Sequence, residues 1–424
     1  MSLLTKKLKV KLEQWRNEVK GILEKRSEKV ISEVTVGQAY GGMRGVRSLI
    51  CDTSCVPQDE GLIIRGIHLK ELMDRTPEEI YFLLLTGELP SKEEFEDLSG
   101  ELKERKSVPE YVWNILKAMP GDSHPMTMFN TALLVMQNES VFAKNYNEGI
   151  KKADYWLATL QDALNIIARV PAIAAGVYRL RFNKGGLIKQ DPSLNMTEEY
   201  VHQLGFEEKG KEFNDLIRLY LVAHSDHEGG NVSALATQTI NSALSDLYYS
   251  LSGGFNGLAG PLHGLANQEA LKWILELMEK FNGSPTREQI KELVWQTLES
   301  GKIIPGYGHA VLRVTDPRFE GFLNFGKKYL ADNPIFITVN RMYEVIPEEL
   351  KKINKIKNPY PNVDAVSGTI LYYYGLKEFA YYTVMFAVSR TLGLTAQAVI
   401  NRGMMNPIIR PKSVTTKFIK DLVG

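Results

Sequence analysis

Apolar residues recur three and four positions apart along most of this chain, which is the spacing of one face of an α-helix. The pattern is clear in seven segments: Ile80 to Leu85, Trp113 to Met119, Tyr155 to Tyr178, Phe213 to Val222, Ala270 to Phe281, Ile290 to Leu298 and Phe379 to Ala398. Several helix starts carry a capping residue and early acids, as in Thr76-Pro77-Glu78-Glu79 and Ser91-Lys92-Glu93-Glu94. The pattern therefore predicts a mainly α protein.

The stretch between Val30 and Ile67 differs from the rest. Its short runs EVTV, RSLICDTS and GLIIRGI are rich in β-branched residues and surround turn signals at Gly41-Gly42 and Pro57-Gln58-Asp59. We therefore expect a small N-terminal β element ahead of the helical body. At 424 residues the chain exceeds one compact core, so one large domain or two unequal domains are expected.

The charge balance gives no reason to expect a nucleic acid or a membrane as a partner. Lys and Arg total 51 against 50 Asp and Glu, which leaves a formal charge of +1. No uninterrupted apolar run reaches the ~18 residues of a membrane span.

The N-terminus and the cysteines indicate an intracellular protein. Leu8, Leu12, Trp15, Val19 and Leu23 recur at helical spacing among acidic residues, which favours an amphipathic first helix over a transit peptide. We expect a cytoplasmic protein, with the mature form of a mitochondrial matrix protein as the alternative. The two cysteines, Cys51 and Cys55, are expected to be reduced, and two thiols alone cannot complete a zinc site.

Three lone titratable residues lie in Gly/Pro-rich segments that ordinary packing does not explain. They are His263 in NGLAGPLHGLANQE, His309 in IPGYGHAVLR and Asp364 in NPYPNVDAVSG. Two imidazoles and a carboxylate suit removal of a proton beside a carbonyl, with stabilisation of the resulting oxyanion. Ordinary alternatives are a buried hydrogen-bonded histidine, a surface loop histidine and a turn or N-cap aspartate, respectively.

The sequence HSDHEGGN, residues 224–231, is a dense polar segment after an apolar helix. A zinc site is one alternative, although HxxHE matches neither HExxH nor HxxEH. A structural polar cluster is another. Contact with an anionic small molecule is favoured, because Asn, His and glycine N–H groups all donate hydrogen bonds.

Arginines near these segments are candidates for binding anionic groups. The planar guanidinium group of arginine can bind a carboxylate through two parallel hydrogen bonds, and the candidates for this role are Arg318, Arg390 and Arg410. The candidates for binding phosphate are Arg44 and Arg313. A lone arginine is usually a solvated surface charge. Arg390 is different, because the surrounding TVMFAVSRTLGL is apolar on nearly every side of a helix.

Seven strings, taken together and in order, closely resemble the citrate synthase family, in its eukaryotic type. They are YGGMRG, HSDHEGGNVSA, NGLAGPLHGLANQE, PGYGHAVLR with TDPR, NPYPNVDA with SG, YYTV with VSR and LG, and RPKS, and they span residues 40 to 413. The resemblance implies a citrate-synthase-like two-domain helical fold and a homodimer. It places the large, dimer-forming domain at 1–264 and 376–424, and the small domain at 265–375.

The resemblance also implies an acyltransferase of the tricarboxylic acid cycle that condenses oxaloacetate with acetyl-CoA and water to give citrate and CoA. Asp364 would remove a methyl proton from acetyl-CoA, His263 would hydrogen-bond the enol, and His309 would polarise and protonate the oxaloacetate carbonyl. Domain closure would exclude water until condensation is done. No metal or redox cofactor is implied, since acetyl-CoA is a substrate.

The remaining implied roles concern binding. Oxaloacetate would be held by His227, Asn231, Arg318, Arg390 and, from the partner subunit, Arg410. CoA phosphates would meet Arg44, Arg313 and Lys144, the last at a position that is usually arginine. Val366 stands where some relatives place histidine in NVDAHSG.

Other functions stay open at this point. A 2-methylcitrate synthase would use propionyl-CoA, and a single methylene is worth only ~1–3 kcal/mol of discrimination. A citryl-CoA lyase would normally carry a nucleotide-activating module, yet the sequence contains no GxxxxGK[ST] motif. A helical binding or scaffold protein would have no reason to keep the two histidines, Asp364 and the arginines together.

Overall fold

The computed structural model describes residues 1–264, 266–309 and 311–424, and α-helices make up most of this part of the chain. The elements up to residue 258 are α1 (Leu3–Arg26), α2 (Val36–Tyr40), β1 (Ser54–Cys55), β2 (Ile63–Ile64), β3 (Ile67–His68), α3 (Leu69–Leu72), α4 (Pro77–Thr86), α5 (Lys92–Arg105), α6 (Glu110–Ala118), α7 (Pro125–Val135), α8 (Val141–Asn147), α9 (Tyr155–Arg181), α10 (Met196–Leu204), α11 (Gly210–Ala223), α12 (Val232–Ser242) and α13 (Leu247–Leu258).

The later helices are α14 (Ala266–Lys280), α15 (Arg287–Glu299), α16 (Pro317–Tyr329), α17 (Pro334–Lys351), α18 (Ser367–Tyr373), α19 (Tyr382–Gly403) and α20 (Thr416–Val423). Short 3₁₀ turns occur at Met136–Glu139, Lys152–Asp154, Glu207–Lys209, Val363–Ala365 and Phe379–Tyr381. Each of the seven segments predicted from apolar spacing lies largely within one of these helices, which confirms the mainly α fold class.

The N-terminal β element exists but is smaller than predicted. β1, β2 and β3 form one antiparallel sheet, with Ser54 opposite Ile64 and Ile64 opposite Ile67. Arg65 and Gly66 connect β2 to β3 with positive φ angles of 48° and 82°, as a tight hairpin turn requires. The run GLIIRGI is therefore a hairpin rather than a single strand.

The predicted strand EVTV is wrong. Val36 begins α2, because Thr35 forms a capping box with Gln38: the Thr35 hydroxyl accepts from the Gln38 N–H, and the Gln38 side chain accepts from the Thr35 N–H. This reciprocal cap supplies partners for N–H groups that would otherwise be unsatisfied. Local capping thus outweighs the β propensity of the valines.

The core is built around the long helices α9 and α19, which pack against each other. The segments Lys152–Arg181 and Phe379–Gly403 are long and apolar enough to cross a membrane by length and composition alone. Their most apolar windows are 72% and 94% buried within the protein, so both are core helices. The apolar surroundings expected for Arg390 are therefore those of a central helix.

The first helix is amphipathic, as predicted. Leu4, Leu8 and Leu12 are buried where α1 packs on α4 and α5, whereas Val19 and Leu23 lie exposed farther along. Cys51 is partly buried and Cys55 is exposed, and both are free thiols.

Helices α14 to α18 form a second group that packs mainly within itself. α15 packs on α17, and α14 packs on α17 and α18. The group meets the rest of the protein where α16 packs on α11 and α3. The segments that carry the predicted site residues lie close to this junction.

Candidate active site

The loops that carry His309 and Asp364 are joined by a short antiparallel bridge between Tyr307 and Pro361. Hydrogen bonds flank the bridge on both sides: the Gly308 N–H donates to Tyr360 O at 2.9 Å, the Asn362 N–H to Gly306 O at 2.9 Å, and Asn362 Nδ2 to Gly308 O at 2.9 Å. Two Gly/Pro-rich segments more than fifty residues apart in sequence are therefore one structural unit.

Gly306 makes this approach possible. Its φ is 79°, and a Cβ added there would lie 2.8 Å from Ala365 Cα. A larger residue would push the His309 loop away from the turn that holds Asp364.

The hydrogen bonds of His309 define its tautomer. Its Nδ1 lies 3.0 Å from the backbone N of Val311 and 2.9 Å from that of Leu312. Because a backbone N–H can only donate, Nδ1 is the acceptor and Nε2 carries the proton. Burial, reinforced by the nearby Arg318 charge, lowers the pKa of His309 to about 4, so the ring is neutral near pH 7.

His227 faces His309, with ring centroids 5.8 Å apart. The pKa of His227 is well below its usual value, mainly through burial and then through the charges of Arg318 and Arg390. A neutral imidazole beside two guanidinium groups can donate one hydrogen bond without adding charge.

Asp364 lies on the 3₁₀ turn Val363–Ala365. Its backbone N–H donates to Asn362 Oδ1 at 2.9 Å, which orients the turn, while its carboxylate accepts no hydrogen bond within the described ranges. Burial raises the pKa of Asp364 to about 6, and the Arg318 charge opposes that rise. A carboxylate with a pKa near 6 is a stronger base than an ordinary aspartate and is still ionised near pH 7.

His263 lies in the turn that follows α13. Its Nε2 is 3.0 Å from Ser233 Oγ and 3.4 Å from the backbone N of Ser233. The backbone donor assigns Nε2 as the acceptor, so Nδ1 carries the proton. Burial, together with the Arg390 charge, lowers the pKa of His263 to about 4, and the neutral ring can donate through Nδ1.

Arg318 is paired with Asp316, two residues before it at the start of α16. Arg318 Nε lies 3.0 and 3.1 Å from the two carboxylate oxygens, and Nη2 lies 2.6 Å from Oδ2. Both side chains are almost fully buried. The pair fixes one edge of the guanidinium and leaves Nη1 for another anion.

Arg390 is only 2% exposed on α19. Its Nε donates to His224 O at 3.0 Å, and its guanidinium carbon lies 4.8 Å from the centre of the Phe386 ring. Burial lowers the pKa of Arg390 to about 10, so the group stays charged near pH 7. The Phe386 ring also borders His263, at 6.1 Å between ring centroids.

Asn231 is engaged in local structure. It caps α12, with Oδ1 accepting from the Ala234 N–H at 3.0 Å, and its Nδ2 donates to His227 O at 2.8 Å and to Glu228 O at 3.1 Å. These hydrogen bonds involve both the oxygen and the nitrogen of the Asn231 side-chain amide. In this structure Asn231 shapes the loop that carries His227.

The other predicted residues lie around this group or apart from it. Arg313 belongs to the His309 loop, and its Nη1 donates to Val311 O at 2.9 Å and Leu312 O at 2.8 Å. Arg44, Lys144 and Arg410 are exposed, and no described side-chain contact joins them to the histidines and Asp364. The structure thus brings together His227, His263, His309, Arg318, Asp364 and Arg390.

At the start of the polar segment 224–231, His224 has a structural role. The His224 ring stacks on Tyr220 at 4.2 Å between centroids, and its Nδ1 donates to Tyr220 O at 3.0 Å. In the part of the chain that the structure describes, no group of three or more His, Cys, Asp or Glu side chains could hold a metal ion.

Three residues of the site escaped the sequence analysis: Ser233, Asp316 and Phe386. The string TDPR carries a helix-start signal for Asp316, and Asp316 does cap α16, with Oδ1 accepting from the Arg318 N–H at 2.9 Å. Ser233 and Phe386 both contact His263, which lies far from each of them in sequence, so no local pattern marks those contacts.

The comparisons with known proteins agree with one another. The family model "Citrate synthase, C-terminal domain" matches residues 42–412. Citrate synthase 4, mitochondrial, of Arabidopsis thaliana is 44% identical, over 98% of this chain and 90% of that protein. The mitochondrial 2-methylcitrate synthase of Yarrowia lipolytica is 43% identical, over 96% of this chain and 90% of that protein.

Structural similarity extends over the whole fold. The crystal structure of citrate synthase from Pyrobaculum aerophilum has a TM-score of 0.80 and 27% identity, covering 92% of this chain and 97% of that chain. A family match over most of the sequence, close full-length relatives and a shared fold lead to one conclusion. The chain belongs to the citrate synthase family.

Proposed function

We propose that this protein is a citrate synthase that condenses oxaloacetate with acetyl-CoA and water to give citrate and CoA. The observation that carries the proposal is the pairing of the His309 and Asp364 loops through the Tyr307–Pro361 bridge, beside the buried Arg318. The charge of Arg318 acts on both Asp364 and His309, and that of Arg390 acts on His263 and on Arg318. A base and two neutral N–H donors are the groups that enolisation and carbonyl addition need.

Oxaloacetate is a dianion, and the buried cations of the site are suited to it. Arg318 keeps Nη1 available beside the Asp316 pair, and Arg390 holds only its Nε in the bond to His224. The neutral His227 ring faces His309, and the charges of both arginines act on it. We assign the two carboxylates to these arginines and a hydrogen bond to His227, with Asn231 supporting the His227 loop.

Enolisation is the first chemical step. The Asp364 carboxylate removes a proton from the methyl group of acetyl-CoA, and the Nδ1–H of His263 donates to the thioester oxygen as negative charge develops there. A neutral imidazole stabilises the enol without being acidic enough to complete a proton transfer. The low pKa of His263 supports this assignment.

Condensation follows. The enol carbon attacks the ketone carbon of oxaloacetate, and the Nε2–H of His309 donates to the ketone oxygen as it becomes an alkoxide and then an alcohol. Water then hydrolyses the citryl thioester and releases CoA. No metal or redox cofactor takes part in these steps.

CoA phosphates are assigned to Arg313, Arg44 and Lys144. Arg313 lies in the loop that carries His309, which places a cation next to the reacting groups. Arg44 and Lys144 are exposed and free to meet a solvent-facing part of the ligand. At Lys144 the charge is present without the planar fork of arginine.

Closure of a small domain, residues 265–375, over a large domain, residues 1–264 and 376–424, completes the site in this proposal. His309 and Asp364 lie on the first of these units, whereas His227, His263 and Arg390 lie on the second. Leu262, next to His263, is a fully exposed apolar side chain that closure would cover. Closure would exclude water from the enol.

A homodimer fits the surface of the protein. Exposed apolar side chains occur along and between α7, α12 and α13, namely Leu134, Val232, Leu235, Leu244 and Tyr249. A second copy of the chain would cover them. In such a dimer, Arg410 from the partner subunit would supply a further cation to oxaloacetate.

The mitochondrion is the proposed location. The Arabidopsis and Yarrowia relatives are both named as mitochondrial proteins, which favours the mitochondrial alternative over the cytoplasmic location expected from the N-terminal helix. A role in the tricarboxylic acid cycle accords with this location. Fractionation of cells that express the protein would distinguish the two compartments.

The experiment that tests the function is release of free CoA, followed with a thiol reagent. Acetyl-CoA should give rapid release only when oxaloacetate is present. Propionyl-CoA serves as the second arm, because the Yarrowia relative is named as a 2-methylcitrate synthase. Preference for propionyl-CoA would favour 2-methylcitrate synthesis, and no release with either thioester would contradict both functions.

A further inference from the structure

Asp226 is a buried carboxylate that the proposed reaction does not use. It is 1% exposed, and its oxygens accept from Thr53 Oγ1 at 2.5 Å, Ser54 Oγ at 2.9 Å and Gln397 Nε2 at 2.8 Å. All three donors are neutral, and the described residues give Asp226 no ion pair. The charges of Arg390 and Arg65 act on Asp226 only from beyond ion-pair distance. A buried carboxylate whose hydrogen bonds all come from neutral groups is costly, so its placement calls for a functional explanation.

The segment around Asp226 lies along one face of α19. Arg390, Gly393 and Gln397 are spaced three and four residues apart and share that face. They hold the segment through a ladder of hydrogen bonds: Arg390 Nε to His224 O at 3.0 Å, the Gly393 N–H to Ser225 O at 3.0 Å, and Gln397 Nε2 to Glu228 O at 3.3 Å.

Gly393 sets how closely the segment approaches. A Cβ added there would lie 2.4 Å from Asp226 Oδ1 and 2.5 Å from Ser225 O. Only glycine allows the carboxylate to lie against the helix backbone.

The small sheet holds the same segment from the other side. Ser54 Oγ, on β1, accepts from the Glu228 N–H at 2.7 Å while donating to Asp226. Glu228 has a φ of +52°, a conformation that costs energy for a residue other than glycine. His227 lies between these two fastened residues, so their bonds determine where its backbone sits.

We propose that Asp226 is a positioning residue for oxaloacetate binding, fastening residues 224–228 between β1 and α19. The fastening sets the place of the His227 ring and of the His224 carbonyl that orients Arg390. The inference rests on the proposed function, because His227 and Arg390 are assigned there as oxaloacetate ligands.

Charge and position predict opposite effects for the loss of this carboxylate. Burial lowers the pKa of Arg390, and the negative charge of Asp226 opposes that shift, so the two side chains interact electrostatically. By charge alone, Asp226→Asn would strengthen the attraction for a dianion and lower the KM for oxaloacetate. If Asp226 acts instead by holding residues 224–228 in place, the same change weakens the hydrogen bonds of that segment and raises the KM for oxaloacetate.

The test compares two variants with two matched controls. Asp226→Asn and Ser54→Ala weaken the fastening, and Ser54→Ala leaves the Asp226 charge intact. The controls are Asp162→Asn and Ser140→Ala, because buried Asp162 accepts from Ser140 Oγ at 2.8 Å at the start of α8 and touches none of the residues 224–228. The KM for each substrate and the melting temperature are measured for all four.

Asp226→Asn should raise the KM for oxaloacetate about tenfold, and Ser54→Ala about fivefold, which corresponds to loss of roughly one hydrogen bond's net contribution. The KM for acetyl-CoA should stay within about twofold in these two variants. The controls should lower the melting temperature comparably without moving the KM for oxaloacetate.

An unchanged or lowered KM for oxaloacetate in Asp226→Asn would overturn the positioning role, as would an equal rise in Asp162→Asn. If Asp226→Asn does not fold, Ser54→Ala decides by the same criterion. Oxaloacetate-induced thermal stabilisation separates this outcome from failure of the function. A wild-type protein that neither releases CoA nor is stabilised by oxaloacetate contradicts the function itself.

Discussion

The guanidinium of Arg318 is clamped edge-on by the carboxylate of Asp316, with Nη2 to Oδ2 at 2.6 Å and Nε to both oxygens at 3.0 and 3.1 Å. Burial by itself would raise the pKa of Asp316, but the Arg318 charge outweighs it and holds that pKa below its usual value. The site thus contains a permanent ion pair that orients the Arg318 guanidinium before the substrate binds.

Removal of Asp316 should therefore damage both stability and oxaloacetate binding. Asp316→Ala leaves Arg318 buried and unpaired, which should lower the free energy of unfolding by ~3–5 kcal/mol. Because the unpaired guanidinium is no longer oriented and binds the dianion more weakly, oxaloacetate should raise the melting temperature of the variant less than that of the wild type. Thermal unfolding with and without oxaloacetate measures both effects.

Glu199→Ala is a suitable control, since Glu199 forms a buried pair with Lys106 at 2.7 Å away from the site. The control should lose stability while its KM for oxaloacetate stays at the wild-type value. An Asp316→Ala protein with the stability and the KM for oxaloacetate of the wild type would contradict the role of Asp316 in orienting Arg318.

For oxaloacetate binding, the planar guanidinium geometry of Arg390 is expected to matter more than its charge. Arg390→Lys keeps a cation but loses bidentate geometry and the bond to His224 O, so the KM for oxaloacetate should rise by about a hundredfold, or ~3 kcal/mol. Arg402→Lys provides the comparison, because Arg402 is also buried on α19 but bonds to Asn241 Oδ1 and Ser245 O instead. Steady-state kinetics in which both variants shift the KM equally would refute the carboxylate assignment.

The pH dependence should show one acidic limb, set by Asp364. The base works ionised and its pKa is about 6, so kcat/KM for acetyl-CoA should be high above that pH and fall about tenfold per pH unit below it. His263 and His309, each with a pKa of about 4, stay neutral throughout this range. A rate that stays flat down to about pH 5 would contradict the assigned base.

A contribution of Arg410 across the subunit interface predicts complementation. In a mixed dimer of Arg410→Ala and Asp364→Asn chains, one site carries both defects and the other carries neither. Random co-assembly of two inactive variants should then restore about a quarter of wild-type activity. Failure of the purified mixed dimer to regain activity would mean that Arg410 serves its own subunit, and an Arg410→Ala homodimer with wild-type activity would mean that Arg410 has no role in the site.

Two kinds of sequence pattern predicted much of the structure: the helical spacing of apolar residues, and the position of titratable residues in Gly/Pro-rich segments. Tyr155 to Tyr178 and Phe379 to Ala398 are helical because their apolar spacing fits a buried helix, and tertiary packing reinforces that pattern. His309 and Asp364 stood out because Gly/Pro-rich segments leave a titratable residue without an ordinary structural reason. The structure brings both of these residues into one group.

The features that escaped prediction depend on partners far along the chain or on competing local chemistry. Asp226 takes its hydrogen bonds from residues 171 to 173 positions away, and no local spacing encodes such a contact. The strand predicted at EVTV failed because one capping box at Thr35 favours a helix over a β propensity that sheet packing would have to reinforce.

The most direct test of the account is exchange of the acetyl-CoA methyl protons in deuterated water. Malate, a dicarboxylate without the ketone, would fill the oxaloacetate site and leave enolisation as the only reaction. The wild type should exchange these protons, and Asp364→Asn should exchange them ~10²–10⁴-fold more slowly while malate still stabilises it against heat. Exchange by Asp364→Asn at the wild-type rate would contradict the account.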